Sequence, residues 1–350
     1  MINVAILGAG IGAQHLSALE RLDRDFRVAA VVDQNTDRIE QIRQNANFQA
    51  LTNIQDALND PAIDVIDICL PPHLHVPTTL AALAAGKHVV CEKPLATSMQ
   101  DVDRITSAAH SAGKHVFPVF QYRWGPSLAQ LRHLQRAGLT GAVQTAALET
   151  HWSRGADYYA VQWRGTWSGE RGGAVLGHAI HNHDLLTHIA GDIAWVSAMA
   201  TTRVNPIETE DCAAICFGMA SGALCTSNIT LGAATDETRL RFVFEKVTAT
   251  SGTEPYAPGQ TPWTFAARDP VDQAAIDEAL AAAAAEPTGF EGFFAEVGKA
   301  LRSEANLAVT LQDGAASIGL VTAIYHAART GQRVALPIRP DHPLYEGWLP

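Results

Sequence analysis

The sequence predicts an α/β protein, with a doubly wound parallel sheet at the N-terminal end and a second, α+β domain after it. Three observations carry this reading. Over the first 120 residues, short Val/Ile-rich runs alternate with segments whose apolar residues recur at helical spacing. Those runs are apolar almost throughout, as strands covered on both faces must be. After Arg123-Trp124-Gly125-Pro126 the character changes to longer runs that alternate apolar and polar residues. A chain of 350 residues is long enough for two domains, each burying its own core. The division is predicted between residues 123 and 124, giving domains of 1–123 and 124–350.

Taken in order, the predicted strands of the first domain are Asn3 to Leu7, Arg27 to Val32, Val65 to Leu70, His88 to Cys91 and His115 to Val119. The intervening helices are predicted at Ala13 to Leu22, Thr36 to Asn45, Ile54 to Leu58, Val76 to Ala85 and Met99 to Ala112. In the second domain the clearest strands are Gln144 to His151, Ala213 to Phe217, Leu224 to Ile229 and Leu240 to Phe244. Ala279 to Ala285, closed by Glu286-Pro287, reads as a short helical connector or surface turn.

Composition excludes several classes. Apolar residues make up 47% and charged residues 17%, a globular balance, and the net charge of −11 argues against a surface built for nucleic-acid phosphates. Cys69, Cys91, Cys212, Cys216 and Cys225 are odd in number and lie in or beside strand-like runs, which suits reduced, buried thiols. Met1 leads directly into a strand without a basic segment, and no apolar run approaches the ~18 residues of a membrane span. The expectation is a soluble, cytoplasmic protein without a membrane partner.

Ile6-Leu7-Gly8-Ala9-Gly10-Ile11-Gly12-Ala13 joins the first strand to the first helix. Glycines at 8 and 10 let the backbone turn tightly and approach a pyrophosphate, and free N–H groups at the helix start face the anion. The third small residue of a dinucleotide fingerprint would be Ala13, which leaves Gly12 at a free position. Asp33 ends the second strand, where a carboxylate accepts from adenosine ribose hydroxyls and repels a 2′-phosphate. This is a Rossmann pattern for NAD, with Arg38 keeping NADP open. Pro71, His73 and His75 follow the third strand and flank the nicotinamide side of such a site, where a histidine can also simply cap the helix.

Glu92-Lys93-Pro94 ends the fourth strand on that edge. An ammonium group there would stand near the cofactor and the reacting hydroxyl, able to stabilise an alkoxide or relay a proton. The alternative is an ordinary ion pair. The other chemical motif runs from Gly172-Gly173 to His178-Ala179-Ile180-His181-Asn182-His183-Asp184. Read as a helix, it puts His181 on one face with Asp184 and with His178, so that a carboxylate could orient a general base. The same residues are ligand types for zinc or iron, although no metal is expected.

These motifs together resemble the Gfo/Idh/MocA oxidoreductases, which include glucose-fructose oxidoreductase and inositol dehydrogenases. The resemblance covers nearly the whole chain and rests on Gly8-Ala9-Gly10 with His15 behind it, Pro71-x-x-x-His75, Ala85-Gly86-Lys87-His88-Val89-Val90-Cys91-Glu92-Lys93-Pro94, and Gly172-Gly173-Ala174 leading to His181-x-x-Asp184. It implies that Lys93 is catalytic, that His181 is the acid/base, and that Gly8, Gly10 and Asp33 hold the dinucleotide. It further implies a large, open, mostly antiparallel sheet in the second domain, used for homodimer or homotetramer contacts. Two departures stand out. Gly177 occupies the position, four residues before the active histidine, where members carry an aspartate, and the glycine loop is one residue shorter before its histidine.

Arg154 to Tyr159 and Trp163 to Trp167 precede the second glycine pair. Aromatic rings stack on sugar faces while Arg and Asp take hydroxyls, so Tyr158 and Arg164 are candidate substrate residues, with Tyr122 and Arg123 as weaker ones. Packing in the second core is their rival role. The resulting expectation is an NAD-dependent dehydrogenase oxidising a secondary hydroxyl of a sugar, glycoside or cyclitol, or reducing the matching ketone. A dinucleotide-binding sensor without turnover, or a metal-dependent hydrolase or lyase using His178, His181, His183 and Asp184, are the competing classes.

Overall fold

The computed structural model describes residues 1–43 and 47–350. The chain divides into two compact units, Met1–Phe120 with Phe290–Ile318, and Gln121–Gly289 with Gly319–Pro350.

The first unit is the doubly wound sheet. Its order of elements is β1 (Ile2–Leu7), α1 (Gly12–Arg21), β2 (Phe26–Val32), α2 (Thr36–Arg43), β3 (Gln49–Leu51), α3 (Ile54–Asn59), β4 (Val65–Ile68), α4 (His75–Ala84), β5 (His88–Cys91), α5 (Met99–Ala112) and β6 (Val116–Pro118). The predicted end of the second helix, at Gln44 and Asn45, lies outside the described residues. The strands pair in the order β3-β2-β1-β4-β5-β6, each pair parallel. Val4 to Leu7, Ile66, Ile68 and Val89 to Cys91 are fully buried, each large aliphatic side chain contributing about 1.5–3 kcal/mol of burial. Capping residues set the helix limits. The Ser98 hydroxyl accepts from the Asp101 N–H at the start of α5, and Gly113 ends it at φ +62°.

Register brings the strand ends together. Leu7 pairs with Val32 on one side and with Ile68 on the other, and Ile68 pairs with Cys91. The residues that follow, Gly8, Asp33, Cys69 and Glu92, therefore share one carboxyl edge of the sheet, where open parallel sheets bind ligands. The returning segment Phe290–Ile318 joins this unit through aromatic packing: Phe290 and Phe294 lie against the His15 ring, at 4.5 and 5.3 Å between centroids, and Phe294 lies against Phe26.

The second unit is built on an eight-stranded mixed sheet. Its elements are α6 (Pro126–Arg136), β7 (Val143–Ser153), α7 (Ala156–Tyr159), a wide π-type turn at Val175–Ala179 running into α8 (Ile180–Ala190), β8 (Ile193–Thr201), β9 (Cys212–Met219), β10 (Leu224–Thr230), β11 (Gly232–Phe244), β12 (Val247–Thr250), β13 (Thr264–Ala267) and α9 (Gln273–Ala281). After α10 (Gly289–Leu301), α11 (Leu311–Thr330) leads to β14 (Val334–Ala335). The strand order is β13-β12-β11-β7-β10-β9-β8-β14, antiparallel except for β7 and β10. Alternation is strict in β10, where Cys225, Ser227 and Ile229 are buried and Leu224, Thr226 and Asn228 exposed. One face meets the core and the other is open. Among the described residues no helix is long and apolar enough to cross a membrane.

Candidate active site

The first unit contributes the glycine loop and the ends of β2, β4 and β5. Gly8 holds φ +101°, and a Cβ there would stand 2.5 Å from the Cys69 carbonyl oxygen, so no other residue type fits without moving β4. Gly10 has open space where a Cβ would be, which leaves its backbone approachable by a phosphate. Gly12, at a free position of the sequence pattern, performs the packing task expected of the third small residue: a Cβ there would meet Ile6 Cγ2 at 2.8 Å. Ile11 is 37% exposed beside them. The Asp33 carboxylate accepts from the Ala9 N–H through one oxygen and from the Asn35 N–H through the other, both at 2.8 Å. It thereby ties the glycine loop to the end of β2. Arg38 is exposed on α2 and donates its backbone N–H to Asn35 Oδ1 at 3.2 Å. A tight turn, an open Gly10 and a carboxylate at the second strand end suit a dinucleotide.

His73 is exposed, whereas His75 is buried and links two loops. Its Nδ1 lies 2.6 Å from the Pro94 carbonyl oxygen and its Nε2 2.7 Å from that of Leu70. Burial lowers its pKa against the pull of those carbonyls. Pro71 opens the intervening turn. Lys93 is half-buried, and its backbone N–H donates to Glu92 Oε2 at 3.0 Å. Glu92 Oε1 accepts from His15 Nε2 at 3.2 Å, and His15 Nδ1 donates to Asp67 Oδ2 at 2.9 Å. Burial alone would lower the His15 pKa, yet the Asp67 carboxylate and the Cys69 sulfur raise it well above the ordinary value. Burial pushes the Cys69 thiol up to about 12, so it stays protonated. Imidazole, carboxylate and thiol of His15, Asp67 and Cys69 come within 4.8 Å of one another, and their hydrogen bonds to each other make this a closed polar cluster beneath the edge. Sequence reading singled out neither Asp67, hidden in an apolar strand, nor its link to Lys93 through His15 and Glu92.

In the second unit the glycine pair starts the histidine segment. A Cβ on Gly173 would fall 1.9 Å from the Glu210 carbonyl oxygen, and one on Gly172 would fall 2.5 Å from the Tyr325 hydroxyl. The Glu210 carboxylate accepts from the N–H groups of Gly173 and Val175, at 3.1 and 3.0 Å, and from the Tyr325 hydroxyl at 3.0 Å. Burial pushes Glu210 up to about 7 despite these donors. It anchors the start of the segment, a role no spacing in the sequence announced.

His178, His181 and Asp184 are all buried. The His181 ring stacks on Tyr122, with centroids 4.4 Å apart and planes at 23°. Asp184 receives the Arg123 guanidinium side-on, at 2.8 Å from Nε and 2.6 Å from Nη2, with both side chains at most 6% exposed. His183 turns Nε2 to Ser227 Oγ at 3.0 Å, and burial lowers its pKa to about 4. The histidines thus have distinct surroundings, with Tyr122 against His181 and Arg123 on Asp184.

His178 faces the aromatic segment, with Trp152 edge-on at 5.2 Å and Tyr158 at 5.8 Å. Two cations lie near the Tyr158 ring, Arg164 at 3.9 Å and Arg154 at 5.2 Å from its centre. Arg154 is held by Asp236 at 2.8 Å and by the Tyr256 hydroxyl at 2.8 Å. Burial, with the negative charge of Glu170, pushes Tyr158 up to about 12. Trp152, Arg154, Tyr256 and Glu170 extend the group that sequence reading had centred on Tyr158 and Arg164.

Comparison with known proteins bears on the family and the fold. Residues 2–120 match the family model described as an oxidoreductase family with an NAD-binding Rossmann fold, and residues 128–250 match the GFO/IDH/MocA C-terminal domain. The WlbA dehydrogenase from Bordetella pertussis, solved in complex with NADH and UDP-GlcNAcA, superimposes with a TM-score of 0.84 at 26% identity, over 97% of this chain and 99% of that one. Among curated relatives, myo-inositol 2-dehydrogenase of Thermotoga maritima is 25% identical over 64% of this chain and 66% of its own length. Levoglucosan dehydrogenase of Pseudarthrobacter phenanthrenivorans is 26% identical over 58% and 55%. The matched part thus spans roughly three fifths of these curated relatives. With both domain models matched in order across more than half of its length, the chain belongs to the Gfo/Idh/MocA oxidoreductase family, and its first unit is that family's NAD-binding Rossmann domain.

Proposed function

We propose that this protein is an NAD-dependent dehydrogenase acting on a secondary hydroxyl of a sugar, glycoside or cyclitol, or on the matching ketone. One observation carries the reading: Gly8, Asp33 and the Glu92-Lys93 strand end follow paired strands on one carboxyl edge of a parallel sheet, so the loop suited to a dinucleotide and a half-buried lysine share that edge. Bound nicotinamide supplies the hydride acceptor. Gly8, Gly10, Ile11 and Gly12 would hold the pyrophosphate, with Asp33 at the ribose. Pro71, His75 and Glu92 would shape the nicotinamide end, and Arg38 would stand by the adenosine side.

In this reading His181 accepts the hydroxyl proton and Lys93 stabilises the developing alkoxide. The face of Tyr158, with the guanidinium of Arg164, and His178 receive the ring and hydroxyls of the substrate. The names of the relatives support the substrate class: they act on inositol and levoglucosan, and the WlbA dehydrogenase holds a nucleotide-linked sugar acid. We read the open face of the eight-stranded sheet, where Met199 and Leu224 are exposed, as the contact of a homodimer or homotetramer.

The test is reduction of NAD followed at 340 nm across monosaccharides, glycosides, inositols, sugar acids and nucleotide-linked sugar acids, with wild type and Lys93→Met. The variant should bind NAD as the wild type does and turn over at least 10²-fold more slowly. Unchanged turnover in the variant, or cofactor binding without reduction across the whole panel, would overturn the proposal.

A further inference from the structure

Glu170 is a buried carboxylate, 7% exposed, that the reading above leaves without a task. One of its oxygens, Oε2, accepts from the Gly165 N–H at 2.6 Å, which fixes the orientation of the group. The other, Oε1, lies 3.7 Å from the point where a Cβ on Gly177 would stand, and apart from the flanking residues and the helix backbone no other described heavy atom comes within 4 Å of that point. Glu170 Oε1 therefore approaches the open face of Gly177, at ordinary contact distance from where a side chain would begin. Gly177 belongs to the wide turn Val175–Ala179 and precedes His181 by four residues, one turn along the same face. A methyl group at 177 would fit in ordinary contact with Glu170, whereas a longer side chain on that side would meet it.

We propose that Glu170 is the positioning carboxylate of the active-site histidine: it reaches over Gly177 and holds negative charge on the face of the helix that presents His181. The proposal rests on the dehydrogenase reading. Asp184, the carboxylate nearest to His181 in sequence, is engaged by Arg123. The charge of Glu170 reaches the pocket, since it contributes to raising both Tyr158 and Tyr159. As His181 takes up the substrate proton it becomes an imidazolium, and a buried carboxylate on that face stabilises it. The groups facing this region are Tyr158, Tyr159, Arg164 and Arg154 from the aromatic segment, His178 on the helix itself, Tyr122 and the Arg123–Asp184 pair, and Tyr256 and Asp211 behind the tyrosines.

The experiment compares wild type, Glu170→Gln, Gly177→Asp and the double variant E170Q/G177D. Two readouts are taken: the pH dependence of kcat/KM, and the titration of the His181 imidazole by NMR, assigned through His181→Asn and measured without substrate. Glu170→Gln keeps an acceptor for the Gly165 N–H and removes the charge. It should lower kcat about 10²-fold at unchanged KM for NAD. Both the acid limb of the rate profile and the His181 titration should move about one pH unit down. The double variant should restore kcat to within about tenfold of wild type, because the carboxylate is returned from the helix side. Loss of activity with an unmoved His181 titration and no rescue would make Glu170 merely structural and overturn the proposal. Should Glu170→Gln fail to fold, Glu170→Asp decides: it keeps the charge but withdraws it by one methylene, so the His181 titration should fall, and an unmoved titration refutes the placement. The NMR readout also separates this inference from the activity, since a chain that never reduces NAD can still show or lack the shift.

Discussion

Breaking the Arg123–Asp184 pair should cost stability before it costs chemistry. The guanidinium meets the carboxylate through two bonds of 2.8 and 2.6 Å, with the two side chains 6% and 2% exposed. At an effective dielectric constant near 20, opposite charges about 4 Å apart attract by roughly 4 kcal/mol. Asp184→Asn removes that attraction from a buried guanidinium, for a loss of about 3–5 kcal/mol. Urea unfolding, followed by tryptophan fluorescence and far-UV circular dichroism, measures it. The double variant Arg123→Met with Asp184→Leu removes both desolvation costs and should recover most of the loss. A single variant within about 1 kcal/mol of wild type would refute this reasoning. Combined with a collapse of kcat, that outcome would return Asp184 to the proton chemistry.

Other outcomes follow from the same geometry. Gly8→Ala forces a Cβ against the Cys69 carbonyl at φ +101°, so it should destabilise the first unit by about 1–3 kcal/mol and weaken NAD binding at least tenfold, read by calorimetry. Asp33→Ser loosens the tie to the Ala9 N–H and removes the charge that repels a 2′-phosphate. The ratio of kcat/KM for NADP over NAD should rise at least tenfold, and wild type binding NADP as tightly as NAD would contradict the assignment of Asp33. Glu210 has a folded pKa of about 7 against an ordinary 4.5, so the folded chain binds the extra proton. Its contribution is present below pH 4.5 and lost as pH rises through about 7, up to roughly 3 kcal/mol in all. Urea midpoints across that window should fall more steeply in wild type than in Glu210→Gln, and parallel curves would count against a protonated Glu210.

Most of the first unit was legible because its strands are apolar on both faces and its helices carry one apolar stripe, two periods that differ. The exception is β3, three residues at the sheet edge, Gln49 to Leu51, with two exposed and one half-buried. Such a strand buries too little to leave a pattern. In the second unit the longer strands were visible by alternation, whereas β8 was not: Trp195, Ser197, Met199 and Thr201 mix with Ala and Val so that neither face is distinctly polar. The return of Phe290–Ile318 to the first unit is a tertiary event. Phe290 and Phe294 are apolar residues of an apolar helix, and nothing local says that their partners are His15 and Phe26.

The site divides along the same line, for a reason that bears on its chemistry. Helical spacing states which residues share a face, so His178, His181 and Asp184 could be grouped from the sequence. It does not state what that face meets. Arg123, sixty-one residues before Asp184, engages its carboxylate, and Tyr122 next to it stacks on His181. One short turn after the first unit thus grips both residues of the motif, Asp184 by charge and His181 by its ring face. The carboxylate that faces Gly177 belongs to Glu170, three residues beyond the stretch read for its aromatic rings. A glycine where a charged side chain is expected looks like a loss in the sequence. In the fold it is an opening, and what fills the opening decides whether the negative charge is absent or only carried from elsewhere. The pH limb of Glu170→Gln separates the two, because only a carried charge can be taken away by changing residue 170.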